Sequence, residues 1–246
     1  CVKPGMIKNT YGTGSFMILN CGEKHLDVGK GCFSTALCVR EGAPLQWGYE
    51  SYANVSGAAI QWLRDGLGII SEASECEKLA STVPDNGGVY LVPAFNGLSS
   101  PYMDPYARGT IIGITRGTTK AHICRAALEC MAYQIAQSFQ DMEELTGTKI
   151  TALRADGGGA KSDFLLQFQA DILGVPVERP VITETTCLGA AYTAGLATGF
   201  FASVDEVSAN WQCEKRFEPR LTAEQRSELM DGWNRAVERA GNWVKK

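Results

Sequence analysis

The spacing of hydrophobic and polar positions changes along the chain, and these changes predict its elements. Residues 9–20, NTYGTGSFMILN, are typical of a β-hairpin whose turn is supplied by Gly12 and Gly14. Residues 32–40 and 44–51 predict two more strands, which three residues join. The chain is therefore expected to open with a small antiparallel sheet.

Helical spacing follows this sheet. Residues 57–70 place Ile60, Leu63 and Leu67 on one face, which predicts an amphipathic helix. Further helices are predicted at 75–81, 119–145, 162–173, 188–199 and 222–243, with strands at 88–95, 109–115, 150–156 and 175–180. This alternation indicates a mainly parallel sheet with helices on its faces. The sequence contains neither an internal repeat nor a linker, so residues 1–246 are expected to form one domain.

Composition narrows the classes of function. The net charge of -4 over 246 residues gives no electrostatic case for binding nucleic acid. No apolar run approaches the roughly 20 residues that span a bilayer. The nine cysteines contain no CxxC pair, and there are only two histidines, so a zinc site is not expected. Scattered cysteines of this kind favour a reducing cytosol.

The stretch LRADGGGAKSDF, residues 153–164, poses the main chemical question. A Walker loop needs G-x-x-x-x-G-K-[ST], and Ala160 stands where the second glycine of that motif is required. What remains is a strand that ends at Asp156, three glycines and the start of a helix. That arrangement suits a nucleotide, because glycines let a backbone approach a ligand closely and helix amides attract anions. A simple tight turn explains the stretch equally well.

A second glycine turn lies at residues 11–14, YGTG, near the start of the chain. Most such turns are only turns. A hairpin loop together with a strand-glycine-helix loop is more specific, since actin-like ATPases hold ATP with this pair.

Residues 109–129, GTIIGITRGTTKAHICRAALE, resemble a signature of the FGGY carbohydrate kinases. Three further blocks, at 8–16, 92–109 and 171–200, are similar to the members of that family that phosphorylate glycerol. The resemblance covers nearly the whole chain. It implies an actin-like ATPase, ribonuclease H-like fold, with a mixed sheet and helices on both faces. It also implies that the chain is the C-terminal, ATP-binding half of such a kinase.

The resemblance assigns roles to seven positions. In the family the ATP phosphates lie against the turn that matches Gly12 and Thr13. The remaining nucleotide contacts match Gly57, Gln61, Gly158 and Ser162, and the residue that packs against the carbon face of glycerol matches Phe16. Serine replaces the usual asparagine at 162, which puts that contact in question. From the residues alone, a core aromatic is the favoured interpretation of Phe16 and a solvated side chain that of Gln61.

Other residues keep two interpretations. Asp104 and Arg108 form either a functional pair or a structural one, as a salt bridge or a loop cap, in a loop where Met103 replaces the family's tryptophan. Asp156 lies near a magnesium-nucleotide or ends its strand and accepts bonds from nearby amides. For His122, a role on the helix surface or at the helix start is favoured over catalysis.

The family's catalytic base, an aspartate in a Gly-Asp-Gln motif, has no match in this sequence and is expected upstream of Cys1. No catalytic residue and no metal ligand is therefore assigned here. The resemblance implies ATP and Mg²⁺ as cofactors, glycerol as the substrate, and a missing N-terminal domain and a homo-oligomer as partners, in the cytoplasm. The fragment alone is expected to be inactive, because phosphoryl transfer needs a positioned base.

Two alternatives stay open at this point. One is the C-terminal half of another kinase of the family, acting on a pentulose, a hexulose or gluconate. The other is a non-catalytic module that binds a nucleotide.

Overall fold

The computed structural model describes residues 1–27, 29 and 31–245. The strands are β1 Ile7–Tyr11, β2 Ser15–Gly22, β3 Phe33–Ala36, β4 Trp47–Ala53, β5 Tyr90–Val92, β6 Thr110–Ile112, β7 Leu153–Asp156, β8 Val177–Pro180 and β9 Cys213–Phe217. The helices are α1 Gly57–Asp65, α2 Ala73–Ala80, α3 Lys120–Thr146, α4 Asp163–Leu173, α5 Thr185–Ala197, α6 Val204–Ala209 and α7 Ala223–Ala240. A 3₁₀ turn, Gly158–Lys161, precedes α4.

Seven strands form one mixed sheet in the order β3-β4-β2-β1-β7-β8-β9. β1 pairs with β7 and β7 with β8 in parallel, whereas the other four pairings are antiparallel. The mixed sheet and the opening hairpin are confirmed, but the expectation of a mainly parallel sheet is wrong. The strands predicted at 88–95 and 109–115 do not join this sheet, because β5 and β6 pair only with each other.

One face of the sheet is buried against the long helix α3. Alternate residues of β1 point to this side, so that Ile7, Asn9 and Tyr11 are buried while Lys8 and Thr10 face the opposite way. Sixteen of the 27 residues of α3 are buried, which makes this helix the centre of the core. The helix α5 lies on the other face, so helices on both faces are confirmed.

The local structure differs from the sequence analysis at three places. The helix predicted over 57–70 ends at Asp65, because glycines follow at 66 and 68, and Leu67 is exposed instead of lying on the apolar face. The sequence analysis did not predict α6 or β9. Strand β9 is mostly exposed and charged, and it forms only by pairing with the edge of β8. No helix in the described parts of the chain is long and apolar enough to cross a membrane.

The aromatic packing between α3 and α7 generates a test of the core. Trp233 is fully buried, stacks on Tyr133 with ring centroids 5.3 Å apart, and donates a hydrogen bond of 3.0 Å to the hydroxyl of Tyr102. We expect Trp233→Ala to lower the free energy of unfolding by about 3–5 kcal/mol, because it leaves a large cavity. Urea denaturation followed by circular dichroism measures this change.

Trp243 provides the matched control, because it is 71% exposed. Trp243→Ala should change the free energy of unfolding by less than about 0.5 kcal/mol. Equal losses in the two variants would contradict the assignment of Trp233 to the core.

Candidate nucleotide site

The parallel pairing of β1 with β7 brings the two glycine turns to one edge of the sheet. Thr10 lies opposite Asp156 in this pairing, so both strands end at the same level. The hairpin turn with Gly12 and Thr13 follows β1, and the turn with Gly158 follows β7. Residues that are about 145 positions apart in the sequence therefore become neighbours, as the comparison with actin-like ATPases predicted.

The hairpin turn is fixed to the start of α1 by backbone hydrogen bonds. The amide of Gly57 donates to the carbonyl of Gly12 at 3.0 Å, and the amides of Ser56 and Ala58 donate to the carbonyl of Thr13 at 2.8 and 3.1 Å. A Cβ on Gly57 would lie 2.6 Å from the carbonyl oxygen of Gly12, so only glycine allows this approach. The contact places Thr13, which is exposed, beside the first turn of α1.

Two adjacent glycines after β7 have different surroundings. Gly157 has φ 83°, and a Cβ there would lie 2.6 Å from the carbonyl oxygen of Tyr11, so this glycine is required for the turn to pack against β1. Gly158 is exposed, and a Cβ on it would meet no atom within 4 Å. The amides at the start of a helical turn have no partners within the turn. The surface at Gly158 is thus open to a ligand.

Ser162 has a structural role in this loop. It is the N-cap of α4, and its hydroxyl oxygen accepts a hydrogen bond of 3.1 Å from the amide of Leu165. Asparagine and serine are both strong N-cap residues, which explains why either residue can stand at this position. The serine hydroxyl keeps one proton that it can donate to a ligand.

Arg179 supports the loop from β8, and the sequence analysis did not identify it. Its guanidinium donates to the carbonyl of Ala160 at 3.0 Å and to a carboxylate oxygen of Asp163 at 2.8 Å. A second ion pair, 2.5 Å long, joins it to Glu214 on β9. Because β8 and β9 lie far along the chain from the loop, only the folded sheet brings these groups together.

Two buried hydrogen bonds connect the residue before the hairpin turn to the helices α4 and α3. The hydroxyl of Tyr11 donates to the side chain of Gln169 on α4, which in turn donates to the carbonyl of Ala132 on α3 at 3.2 Å. Burial raises the pKa of Tyr11, so its hydroxyl remains protonated at neutral pH. Tyr11 is the residue before Gly12, and its anchoring fixes where the turn starts.

Phe16 lies on the exposed face of the sheet, not in the core. It is 46% exposed and stacks on Tyr52, with ring centroids 6.2 Å apart. Tyr52 stacks in turn on Phe33 at 5.8 Å, which gives three roughly parallel rings across β2, β4 and β3. The interpretation of Phe16 as a core aromatic is therefore wrong. Gln61 is exposed on α1, one turn after Gly57.

The remaining candidate residues have mainly structural contacts. Asp104 caps its own loop by accepting from the amides of Tyr106 and Ala107 at 2.8 and 3.2 Å. Arg108 donates to the carbonyls of residues 105 and 107, and no salt bridge joins it to Asp104 within the described chain. His122 bonds through Nδ1 to the amide of Thr119 at 3.1 Å, which confirms its role at the start of α3.

Asp156 ends β7 and lies next to the loop, with only 4% of its surface exposed. Burial raises the pKa of its carboxyl group. Its Oδ1 has no hydrogen-bond partner among the described residues, so the expected bonds to nearby amides are not made by this oxygen.

The described residues contain no group of three or more histidine, cysteine or acidic side chains that could hold a metal ion. Mg²⁺ that is bound together with a nucleotide usually needs only one or two carboxylates in addition to phosphate oxygens. All nine cysteines are free thiols.

The comparisons with known proteins show the family and the fold of the chain. Residues 7–198 match the C-terminal domain of the FGGY family of carbohydrate kinases. The chain belongs to the FGGY family. It is 55% identical over its whole length to a glycerol kinase of Nitratidesulfovibrio vulgaris strain Miyazaki F, and 53% identical to glycerol kinase 2 of Thermotoga maritima. It covers 49% of each, so the chain spans about half the length of these curated relatives.

Solved structures of this family have the same fold. Plasmodium falciparum glycerol kinase, crystallised with ADP, superposes with a TM-score of 0.89 and 31% identity over 99% of the chain and 48% of its own. A gluconate kinase of Lactobacillus acidophilus superposes with a TM-score of 0.78 over 95% of the chain and 46% of its own, at 22% identity, which supports the fold alone. The expected actin-like domain of the FGGY kinases is confirmed.

The two neighbouring glycines of the loop generate a prediction. Gly157→Ala should lower the free energy of unfolding by at least about 2 kcal/mol, because it combines a left-handed backbone with a clash against Tyr11. Gly158→Ala should change this free energy by less than about 0.5 kcal/mol, because its new methyl group meets open space. Paired urea titrations compare the variants, and equal losses would contradict the described packing of the loop.

Proposed function

We propose that the edge formed by the two glycine turns binds the nucleotide of an ATP-dependent kinase. The observation that carries this proposal is the convergence of Gly12, Thr13, Gly57 and Gly158 on one edge of the sheet. The phosphates would lie along Thr13 and the hairpin turn, where backbone amides and a hydroxyl can donate to them. The adenosine would lie over Gly158, with Gln61 and Ser162 at its sides.

The reaction that fits best is transfer of the γ-phosphate of ATP to glycerol, giving glycerol 3-phosphate. The identity of 53–55% to glycerol kinases supports glycerol as the acceptor. The exposed ring of Phe16, two residues after the hairpin turn, offers an apolar surface to the carbon face of glycerol. An acceptor there would lie next to the phosphates, as an in-line transfer requires.

In this reaction the chain would bind and position the substrates, and the catalytic base would come from elsewhere in the protein. The aspartate that takes the hydroxyl proton is expected in the half that this chain does not cover. Mg²⁺ would enter with ATP, bound to its phosphate oxygens, and would neutralise their charge. Mg²⁺ bound in this way usually needs only one or two carboxylates besides the phosphate oxygens, and we expect further protein ligands from the other half.

The whole protein would then be a two-domain enzyme whose halves close over ATP and glycerol and exclude water. We place it in the cytoplasm, in agreement with its nine free thiols, and expect a homo-oligomer by analogy with the family. The 246-residue chain alone should not phosphorylate glycerol.

Nucleotide binding can be tested on this chain by titration calorimetry with Mg²⁺ and ADP. Thr13→Ala and Gly158→Asp should each weaken binding about tenfold or more, by removing a hydroxyl donor and by placing a carboxylate in the site. Thr151→Ala is the matched control, since Thr151 is exposed in a loop away from the site. Unchanged affinity in both site variants would contradict the placement of the nucleotide.

The acceptor site requires the whole protein and steady-state kinetics. Phe16→Ala should raise the KM for glycerol about tenfold, because one apolar face of the acceptor is lost, and should leave the KM for ATP within about twofold. Phe33→Ala is the control, since Phe33 is 45% exposed on the same face, two strands away. An equal effect of both substitutions would count against a direct contact of Phe16 with glycerol.

A second candidate is a kinase of the same family that acts on another sugar, because xylulose and gluconate kinases share the fold. Rates of the whole protein with glycerol, ribulose, xylulose and gluconate separate the two functions. A higher kcat/KM with any of the sugars than with glycerol would replace our proposal. A non-catalytic module would phosphorylate none of them.

A further inference from the structure

A cavity of about 440 Å³ lies between α5 and the outer face of the sheet. Its helix side is formed by apolar residues of α5, including Leu188 and Leu196, and its sheet side includes Lys8 and Asp156. One ordered water needs roughly 10–15 Å³ of such volume and several polar partners. The cavity is thus far larger and more apolar than a site for one or two waters.

The helix α5 is unusual in this fold because none of its 13 residues is buried. Its sequence is apolar, TTCLGAAYTAGLA, and a helix of this composition is normally stable only when it packs against neighbours. The residues that line the cavity, such as Leu188, Tyr192 and Leu196, are separated by three or four positions and thus lie on one face. This face points towards the sheet but lacks a tightly packed partner.

One buried carboxylate oxygen on the sheet side of the cavity has no hydrogen-bond partner among the described residues. Asp156 lines the cavity and is 96% buried, since its relative exposure is 4%, and its Oδ1 has no partner among the described residues. The ammonium of Lys8 faces the same space but donates at 2.6 Å to the hydroxyl of Thr10. The guanidinium of Arg154 lies 3.7 Å from the ring of Trp211. A buried carboxylate oxygen without a hydrogen bond costs free energy, so a donor is expected at this position.

We propose that this cavity receives a segment of the other half of the protein, which inserts apolar side chains between α5 and the sheet and donates a hydrogen bond to Asp156. This inference rests on the proposed two-domain enzyme. The relatives carry about as many residues again as this chain covers, and the matched part is the family's C-terminal domain. The polypeptide needed to fill the cavity therefore exists in the relatives.

The shape of the cavity favours such a segment over other occupants. It lies between a helix and a sheet of the same chain, so an occupant must enter as a single narrow element. Asp156 directly precedes Gly157 and Gly158, so a segment that binds this carboxylate would also restrict the position of the proposed nucleotide loop. Docking of the two halves and the shape of the nucleotide site would then be coupled.

Gly189 allows a test in the whole protein. It lines the cavity, and a Cβ on it meets no atom of this chain within 4 Å. With the segment in place, Gly189→Leu should lower the Tm of the whole protein by about 5 °C, through overpacking. Without an occupant, leucine would enter free space and replace a poor helix former, so the Tm would stay equal or rise. An equal or higher Tm overturns the proposal.

Ala191→Leu is the matched control, because Ala191 is exposed on α5 and does not line the cavity. It should shift the Tm by less than about 2 °C. A loss of Tm for Gly189→Leu that disappears on dilution would identify a second copy as the occupant and would also overturn the proposal.

A measurement on the wild-type protein covers the case in which Gly189→Leu does not fold. Cys38 lines the cavity and is exposed in this chain, whereas Cys213 is exposed on β9 and does not line it. Labelling by a maleimide, read by mass spectrometry, should be at least tenfold slower at Cys38 in the whole protein than in the 246-residue chain. Cys213 should show no such difference. Equal labelling rates of Cys38 in both proteins overturn the proposal.

The result is separable from that of the proposed function. Wild-type protein that fails to phosphorylate glycerol would refute the assigned reaction, whereas the Tm and labelling comparisons report only on what occupies the cavity.

Discussion

The parallel pairing of β1 with β7 is the constraint on which the candidate site depends. It sets Thr10 opposite Asp156, and both strands therefore deliver their glycine turns at one edge of the sheet. Only two of the six pairings in this sheet are parallel, β1 with β7 and β7 with β8. A shift of this register by two residues would separate the turns by about 7 Å, more than a phosphate contact can bridge.

The positions of the turns are maintained by polar groups that are buried or partly buried beneath them. Tyr11 is tied to Gln169, and Gln134 on α3 donates to the carbonyl of Val55 at 3.0 Å, just before α1. Arg179 holds the loop after β7 through the carbonyl of Ala160. Tyr11 directly precedes the hairpin turn, and Ala160 directly follows the glycines after β7, so two of these bonds act next to the turns. The candidate site is therefore held in place by the core of the domain, and much of its surface is backbone of the two glycine turns.

The two faces of this sheet differ in how closely they are packed. The face towards α3 is filled by close-packed side chains, whereas the other carries exposed aromatic rings, a buried carboxylate and the cavity beneath α5. This asymmetry agrees with the length of the relatives, since a half of a two-domain protein presents surfaces that the other half completes.

The sequence by itself determined most of the local elements, the opening hairpin and the family, because these depend on spacing, turn chemistry and short motifs. It could not give the mixed sheet order, strand β9 or the separation of β5 and β6, because strand partners are chosen by contacts between distant residues. It named Gly158 and Thr13 as site residues but not Arg179, since a lone arginine on a strand carries no local signal. The tertiary structure alone decided that Phe16 is exposed and that Oδ1 of Asp156 has no hydrogen-bond partner among the described residues, because burial depends on what packs against a side chain and not on its neighbours in sequence.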